Sequence, residues 1–440
     1  MKNKTIMMLS MALSSVLFLS AFTGCAPKRD KSKINDFEIS YYSRSDYIES
    51  IDWVGQVTGE ESISKTFSRF NVGGTDLGIP LYNSKNDTVY VFFGDTFMAH
   101  SQMSGDWRSN VCLTSKDYNL SDGLYFDGAV MDEKQENRAR AIIDGLHSDS
   151  HEMTKIPTGG IEINGNMYMF YFSKNTWTGE NKYSMNYGGC VKSADNGKTW
   201  ERVYDLSWAD HGDITGLGRN GLAASKLQDL INLDVNNRFP EGEVNVYDHV
   251  GFYFTQIAPV DGRDGYIYIL GEGGYRTEGI KLGRVLKENF EKFEEYEYYI
   301  GTDGNGDPIW EKGIEGLQAC DASDSAFIIG SKSIRCGEHS VMYNEFLDQW
   351  LVTYLASSGI VMRMAQNIWG PYSQEIPILG YSDVANICPV GYQLTSIYGG
   401  FMNSEWVEGN GQVVYMTFSQ YSPFYNSSLL RVQFYEDMKA

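Results

Sequence analysis

Short apolar and aromatic runs alternate along the chain with short runs rich in Gly, Asn and Asp. Five of the apolar runs are alike: residues 88–93, 166–172, 266–270, 349–354 and 412–418. Each has strand length, carries β-branched and aromatic residues, and follows a turn signal. Ahead of each turn lies a second strand candidate, at 77–82, 159–163, 254–260, 340–343 and 404–407. Outer strands are predicted at 109–115, 189–193, 279–286 and 360–365. One strand–turn–strand–loop–strand unit therefore recurs about five times. Recurring antiparallel units of this kind predict an all-β propeller, its blades set around a central channel. A pair of β-sandwiches is the competing arrangement. The spacings exceed a bare blade, so the inter-strand loops must be long. A small helical insertion is expected at 222–233, where Leu222, Leu227, Leu230 and Ile231 recur with helical period.

Ser193-Ala-Asp-Asn-Gly-Lys-Thr-Trp200 matches the Asp-box pattern S-x-D-x-G-x-T-W. Asp195 is expected to accept backbone N–H groups, Gly197 to permit positive φ, and Trp200 to pack on the blade. The motif is structural and sits on outer blade edges; its link to sialidases is analogy.

The segment from Gly73 to Phe97 reads as a hairpin turning around Asn83 to Asp87. A symmetric loop pairs Tyr82 with Val89, and the same register sets Asp76 opposite Asp95. Directly opposed carboxylates on one face repel unless one holds a proton or a cation intervenes. Such a pair suits acid/base work on a glycosidic bond. Gly73, Gly74, Gly78 and Gly94 flank the pair and would leave room for a ligand; a bulge at these glycines would break the register. The bland alternative is one Asp capping a turn and the other solvated. Downstream, Trp107 is a candidate sugar-stacking ring and Arg108 a candidate hydroxyl or carboxylate ligand; the alternative is a packed Trp beside a surface Arg. Glu338 opens the fourth unit as a third channel-facing carboxylate. Arg276, between two strands of the third unit, is either a ligand contact or a structural ion pair.

Composition narrows the partners. The formal charge is −21, from 57 acidic and 36 basic residues, which argues against nucleic acid. Lys2 and Lys4, an apolar run from Ile6 to Phe22, and Ser20-Ala-Phe-Thr-Gly-Cys25 resemble a bacterial lipoprotein signal with its lipobox; the bland alternative is a plain secretory signal or a short membrane anchor. The expected organisation is a signal peptide at 1–24, lipidated Cys25 and a polar tether over 25–50, and a propeller domain over 51–440. Anchoring at the membrane and an extracytoplasmic location follow. The remaining cysteines, Cys112, Cys190, Cys320, Cys336 and Cys388, are odd in number and widely spaced. They read mostly as buried apolar residues, with room for one bridge, and no C-x-x-C zinc motif occurs. His147 and His151 lack the H-E-x-x-H pattern and read as loop residues. No cofactor or metal is called for. Gly301 to Asp307 is Asp/Gly-rich and could hold Ca²⁺, although it lacks the full ligand spacing and a plain turn is the simpler reading.

Taken in order, Gly74-Thr-Asp-Leu-Gly78, Phe93-Gly-Asp-Thr-Phe97, Trp107-Arg-Ser-Asn110, Arg276 before Lys281-Leu-Gly-Arg-Val285, Gly337-Glu-His-Ser-Val341 and Trp369-Gly-Pro-Tyr372 resemble the family catalogued as domain of unknown function 4185. The resemblance implies a five-bladed propeller. It also implies kinship with endo-acting D-arabinanases, whose acidic pair corresponds to Asp76 and Asp95. His339 stands where the resemblance leads one to expect a small aliphatic residue. The expected function is a lipid-anchored glycoside hydrolase acting on a furanoside polysaccharide such as D-arabinan. The alternatives are a non-catalytic glycan-binding lipoprotein and a sialidase, which would need Arg108, Arg276 and Arg363 gathered in one site.

Overall fold

The computed structural model describes residues 46–149, 151–177, 185–209, 224–233, 235–236, 238–239, 242, 251–393 and 395–440. The leader, Cys25, most of the tether, Leu222, His211 and His249 lie outside the described residues.

Five antiparallel sheets form the blades of a propeller. Blade I runs outward through Leu77–Asn83, Thr88–Phe93, Val111–Ser115 and Gly128–Ala129. Blade II comprises Thr154–Ile163, Asn166–Lys174, Met185–Ser193 and Trp208–Ala209. Blade III comprises Gln256–Asp261, Tyr266–Glu272, Ile280–Leu286, Glu297–Thr302 and Pro308–Lys312. Blade IV comprises His339–Asn344, Gln349–Ala356, Gly359–Ala365 and Ile376–Gly380. Blade V comprises Ile397–Glu408, Val413–Gln420 and Asn426–Phe434, and its outermost strand is the N-terminal Ile48–Gln56. The five similar apolar runs are the second strands of the five blades. They are almost wholly buried because neighbouring blades cover both of their faces, which is why they read as continuous apolar runs. The first described strand begins at Ile48, three residues ahead of the expected domain start.

The helical insertion is Ala224–Asn232, and Leu227, Leu230 and Ile231 bury into the core shared by blades I and II. A second helix of some length, Gly313–Ala322, packs beside blade III. Among the described residues no helix is long and apolar enough to cross a membrane. The five cysteines named above are buried and unbridged.

The Asp-box behaves as its chemistry dictates. Asp195 Oδ1 accepts from Thr199 N at 2.9 Å, Gly197 N donates to Ser193 Oγ at 2.8 Å, and Gly197 has φ 80°. Trp200 meets Phe92 of blade I edge-on, ring centroids 5.9 Å apart. In the Gly301–Asp307 turn, Asp303 Oδ1 accepts from the N–H groups of Asn305 and Asp307, at 2.8 and 3.0 Å.

The five inner strands line two cavities stacked along the channel. A cavity of about 350 Å³ is lined by residues at or near the start of each inner strand, including Leu77, Ile156, Gln256, His339 and Tyr398. A second, of about 550 Å³, is lined by residues further along the same strands. Thr158, His339 and Phe401 border both, so they form the partition between them.

Candidate active site

The smaller cavity holds the acidic pair, and two compensating irregularities in the blade I hairpin put it there. The register follows the symmetric expectation from Asn83↔Thr88 up to Ile79↔Phe92, then slips by one residue at Gly78, so that Leu77 pairs with Phe93. Asp76 therefore faces Gly94, whose N–H donates to the Asp76 carbonyl at 3.2 Å. Further out, the Gly74↔Phe97 bridge restores the original register, which leaves one extra residue in the stretch holding Asp95. The expected direct opposition of Asp76 and Asp95 is thus corrected: the bulges offset them, yet both line the same cavity.

The slip is costly locally and is held from outside. Leu77 adopts φ 66° and Gly78 φ 102°; a left-handed Leu is rare and strained. Leu77 N donates to Ser419 Oγ at 2.7 Å, Ser427 Oγ to the Leu77 carbonyl at 2.9 Å, and Thr417 Oγ1 to the Gly78 carbonyl at 2.7 Å. Hydroxyls of blade V thereby take up the backbone groups that the bulge frees. The glycines make room for the protein itself and not for a ligand, a second correction. A Cβ on Gly73 would meet the Met98 carbonyl oxygen at 2.3 Å, and one on Gly94 would meet Asp76 Oδ1 at 2.3 Å.

The two carboxyls have different surroundings. Asp95 is 6% exposed, and its Oδ1 accepts from Trp107 Nε1 at 2.7 Å and from Thr154 Oγ1. Burial dominates these bonds, and the nearby Asp76 charge adds to it, so the Asp95 pKa is pushed up to about 8. Asp76 accepts from Tyr398 OH at 2.7 Å, while its Oδ1 is buried without a partner. Burial again leads, but Tyr398, Tyr425 and Arg276 favour the charged form, and its pKa rises only to about 6. Two carboxyls in one cavity thus have affinities for the proton that are pushed apart.

Arg276 and Glu338 form the opposite wall. Gly274, Tyr275 and Arg276 all have positive φ, at 71°, 52° and 61°, a left-handed turn that delivers Tyr275 and Arg276 into the cavity. Arg276 Nε lies 2.9 and 3.0 Å from the two Glu338 oxygens, and Nη2 adds a further bond to Oε1. The Arg276 guanidinium also sits 4.9 Å from the Tyr398 ring centroid. Of the two alternatives for Arg276 the ion pair is present, and the same side chain lines the cavity.

Trp107 lines the cavity too, but its ring is engaged. His147 stacks on it at 3.8 Å with planes 3° apart, and Phe97 lies at 5.7 Å. It holds Asp95 through Nε1 and reaches the cavity with the stacked His147 already covering one face of the ring. Arg108 does not line the cavity. It is 1% exposed and donates to the carbonyls of Ala139 at 2.8 Å and Asn71 at 2.5 Å. Arg363 is likewise committed, to Tyr354 OH and the Ser373 carbonyl. The three arginines do not meet, so the sialidase arrangement is absent among the described residues. No group of three or more His, Cys, Asp or Glu able to hold a metal occurs among the described residues.

Several residues of the site went unread in the sequence: the lining residues Tyr398 and Tyr425, which tune Asp76, Gln256, and the aromatics Trp177 and Tyr421, 42% and 50% exposed; and, outside the lining, Thr154, which bonds Asp95. The signal that could have found several of them is position, since they stand at or near the start of an inner strand.

A curated protein from Aspergillus versicolor, notoamide biosynthesis cluster protein J', is 32% identical over 155 residues, covering 33% of this chain and 41% of that protein. Among solved structures, a Bacteroides ovatus protein provisionally named a hydrolase superposes with TM-score 0.50 at 13% identity, covering 83% of this chain and 87% of that one. The catalytic domain of the Coprinopsis cinerea GH62 α-L-arabinofuranosidase gives TM-score 0.42 at 11% identity, covering 88% and 97%. At these identities the structural likeness is one of fold. The family model described as Domain of unknown function (DUF4185) matches residues 61–431, nearly the whole described chain, and the protein belongs to that family.

Proposed function

We propose that the protein is a glycoside hydrolase that cleaves a furanoside polysaccharide such as D-arabinan with Asp95 as proton donor and Asp76 as the base or nucleophile. One observation carries the reading: two carboxyls with pKa values near 8 and 6 share an aromatic-lined cavity at the mouth of the channel. At neutral pH Asp95 keeps its proton and Asp76 has mostly lost its own. Asp95 would protonate the glycosidic oxygen as the bond to the anomeric carbon breaks. Asp76 would take the proton of the attacking water, or attack the anomeric carbon itself. Both hydrogen bonds to Asp95 fall on Oδ1, which leaves Oδ2 to present the proton. The leader and Cys25 support a lipid-anchored, extracytoplasmic setting, in which a polysaccharide is an accessible substrate.

The test is sugar release from a panel of arabinans and plant polysaccharides by the parent, Asp76→Asn and Asp95→Asn. Each variant should lose at least ~100-fold in rate. Full activity in both would end the reading, and binding without turnover by the parent would make the protein a glycan-capturing module.

A further inference from the structure

Two residues that line the candidate active-site cavity carry buried acceptor atoms with nothing in the protein to satisfy them. Gln256 opens the inner strand of blade III and His339 opens that of blade IV, so the repeat sets them at corresponding positions in adjacent blades. They are 2% and 3% exposed, and both line the cavity. The Gln256 amide donates through Nε2 to Glu272 Oε2 at 2.7 Å. That leaves Oε1 as its acceptor, and Oε1 has no partner. His339 Nε2 lies 2.9 Å from the Leu270 carbonyl oxygen, which can only accept, so Nε2 carries the proton. Nδ1 is then a lone pair, also without a partner. Leu270 and Glu272 belong to one strand, so both orphan acceptors are fixed from the same element. Burial favours the neutral imidazole.

Four of the donor-bearing side chains that line the cavity are already engaged. Trp107 Nε1 is on Asp95, Tyr398 OH on Asp76, Arg276 on Glu338, and Thr158 Oγ1 on the Ile257 carbonyl. Asp76 Oδ1 is a third unpartnered acceptor in the same cavity. Native proteins rarely leave buried polar atoms unmatched, and such atoms call for a ligand or an ordered water. A ligand that satisfies this end of the cavity must bring donors. It must not bring negative charge, which would face three lone pairs.

We propose that Gln256 Oε1 and His339 Nδ1 each accept a hydrogen bond from a hydroxyl of one neutral sugar unit. They make the inner end of the cavity a subsite that selects uncharged, fully hydroxylated glycosyl units over uronic acids and deoxy sugars. A site built to bond a hydroxyl discriminates strongly against the analogue that lacks it, because the protein group is then left unpaired. The inference deepens the hydrolase reading and rests on it for placing a glycan here, but its test needs no turnover.

The test is equilibrium binding to the full chain, read by saturation-transfer NMR and calorimetry. The probes are D-arabinose, L-arabinose, D-xylose, 2-deoxy-D-ribose and D-galacturonic acid, with arabinan oligosaccharides as longer ligands. A neutral pentose or oligosaccharide should bind, and the deoxy sugar and uronic acid should bind about tenfold more weakly or not at all. Gln256→Met keeps the volume and removes the acceptor; it should weaken the neutral sugar by about tenfold and leave the deoxy sugar lacking the matching hydroxyl unchanged. Gln256→Glu, which keeps an acceptor at the same reach, should bind more tightly than Gln256→Met. His339→Gln and His339→Phe supply a second pair, with thermal melting as the folding control. Equal binding by parent and Gln256→Met, preference for the uronic acid, or no neutral-sugar binding by any probe would overturn the proposal. Sugar binding that depends on Gln256 in a protein that hydrolyses nothing would remove the hydrolase reading and keep this one.

Discussion

The carboxylate of Asp76 rests directly over the α-carbon of Gly94, so closely that a methyl group there would lie 2.3 Å from Oδ1. The contact exists because the slip at Gly78 brought residue 94, and not residue 95, opposite residue 76. Gly94→Ala must therefore push the Asp76 carboxyl away from Tyr398. The expected result is a loss of at least ~100-fold in kcat/KM, because small misplacements of a reacting group are expensive. Steady-state kinetics beside a melting curve checks it: the variant should stay folded at assay temperature while activity collapses.

Activity should describe a bell against pH. The acid limb belongs to Asp76, which must be ionised, and falls near pH 6; the alkaline limb belongs to Asp95, which must be protonated, and falls near pH 8. The two carboxyls interact, so the limbs report the pair. A kcat/KM profile between pH 4 and 10 measures both limbs. A flat profile across this range would contradict the assignment.

The same shifts predict a penalty in stability. Both native pKa values lie above the ordinary 3.8. The native state thus holds these protons more tightly than the unfolded chain does. Their contribution to stability is complete below pH ~3.8 and is lost as pH rises through about 6 and then about 8. Asp95→Asn should therefore melt above the parent at pH 8 to 9, with the gap closing toward pH 4. Differential scanning calorimetry across that range checks the sign.

Trp107 stabilises the charged form of Asp95 through its 2.7 Å hydrogen bond. Trp107→Phe keeps a ring against His147 and removes only the donor. Its alkaline limb should move upward, with kcat at the optimum within about tenfold of the parent. A pH–rate profile that superposes on the parent would show that the indole serves packing alone.

Arg276→Met should strand Glu338 with its charge beside Asp76. Removing one partner of this partly buried pair should cost less than the ~3–5 kcal/mol of a fully buried one. The Arg276 charge holds the Asp76 pKa down and Glu338 raises it, so the acid limb should also move upward. Urea unfolding and the pH profile read the two effects separately.

The blades were legible in the chain because each second strand is an apolar, aromatic run bounded by turn residues, and the Asp-box advertises its own hydrogen bonds. The acidic pair was legible as residue types near glycines, but its geometry was not. Register depends on whether Gly78 bulges, and the groups that hold the bulge, Ser419, Ser427 and Thr417, come from the far end of the chain. For the same reason Tyr398 and Tyr425 were invisible as partners of Asp76: no local pattern links residues more than 320 positions apart. Arg108 misled because a loop arginine looks alike whether it faces solvent or fastens two carbonyls. The outermost strand of blade V escaped notice because its partner is the final strand, and no short-range signal announces that pairing.

That N-terminal strand, Ile48–Gln56, is stitched onto Asn426–Phe434 and leads on to blade I. The first described strand and the last strand thus form a latch, and the tyrosines beside Asp76 sit on the latched side. Peeling the strand away would slacken the grip on the acid pair while the other four blades kept their sheets, so chemistry should fail before the ring unravels.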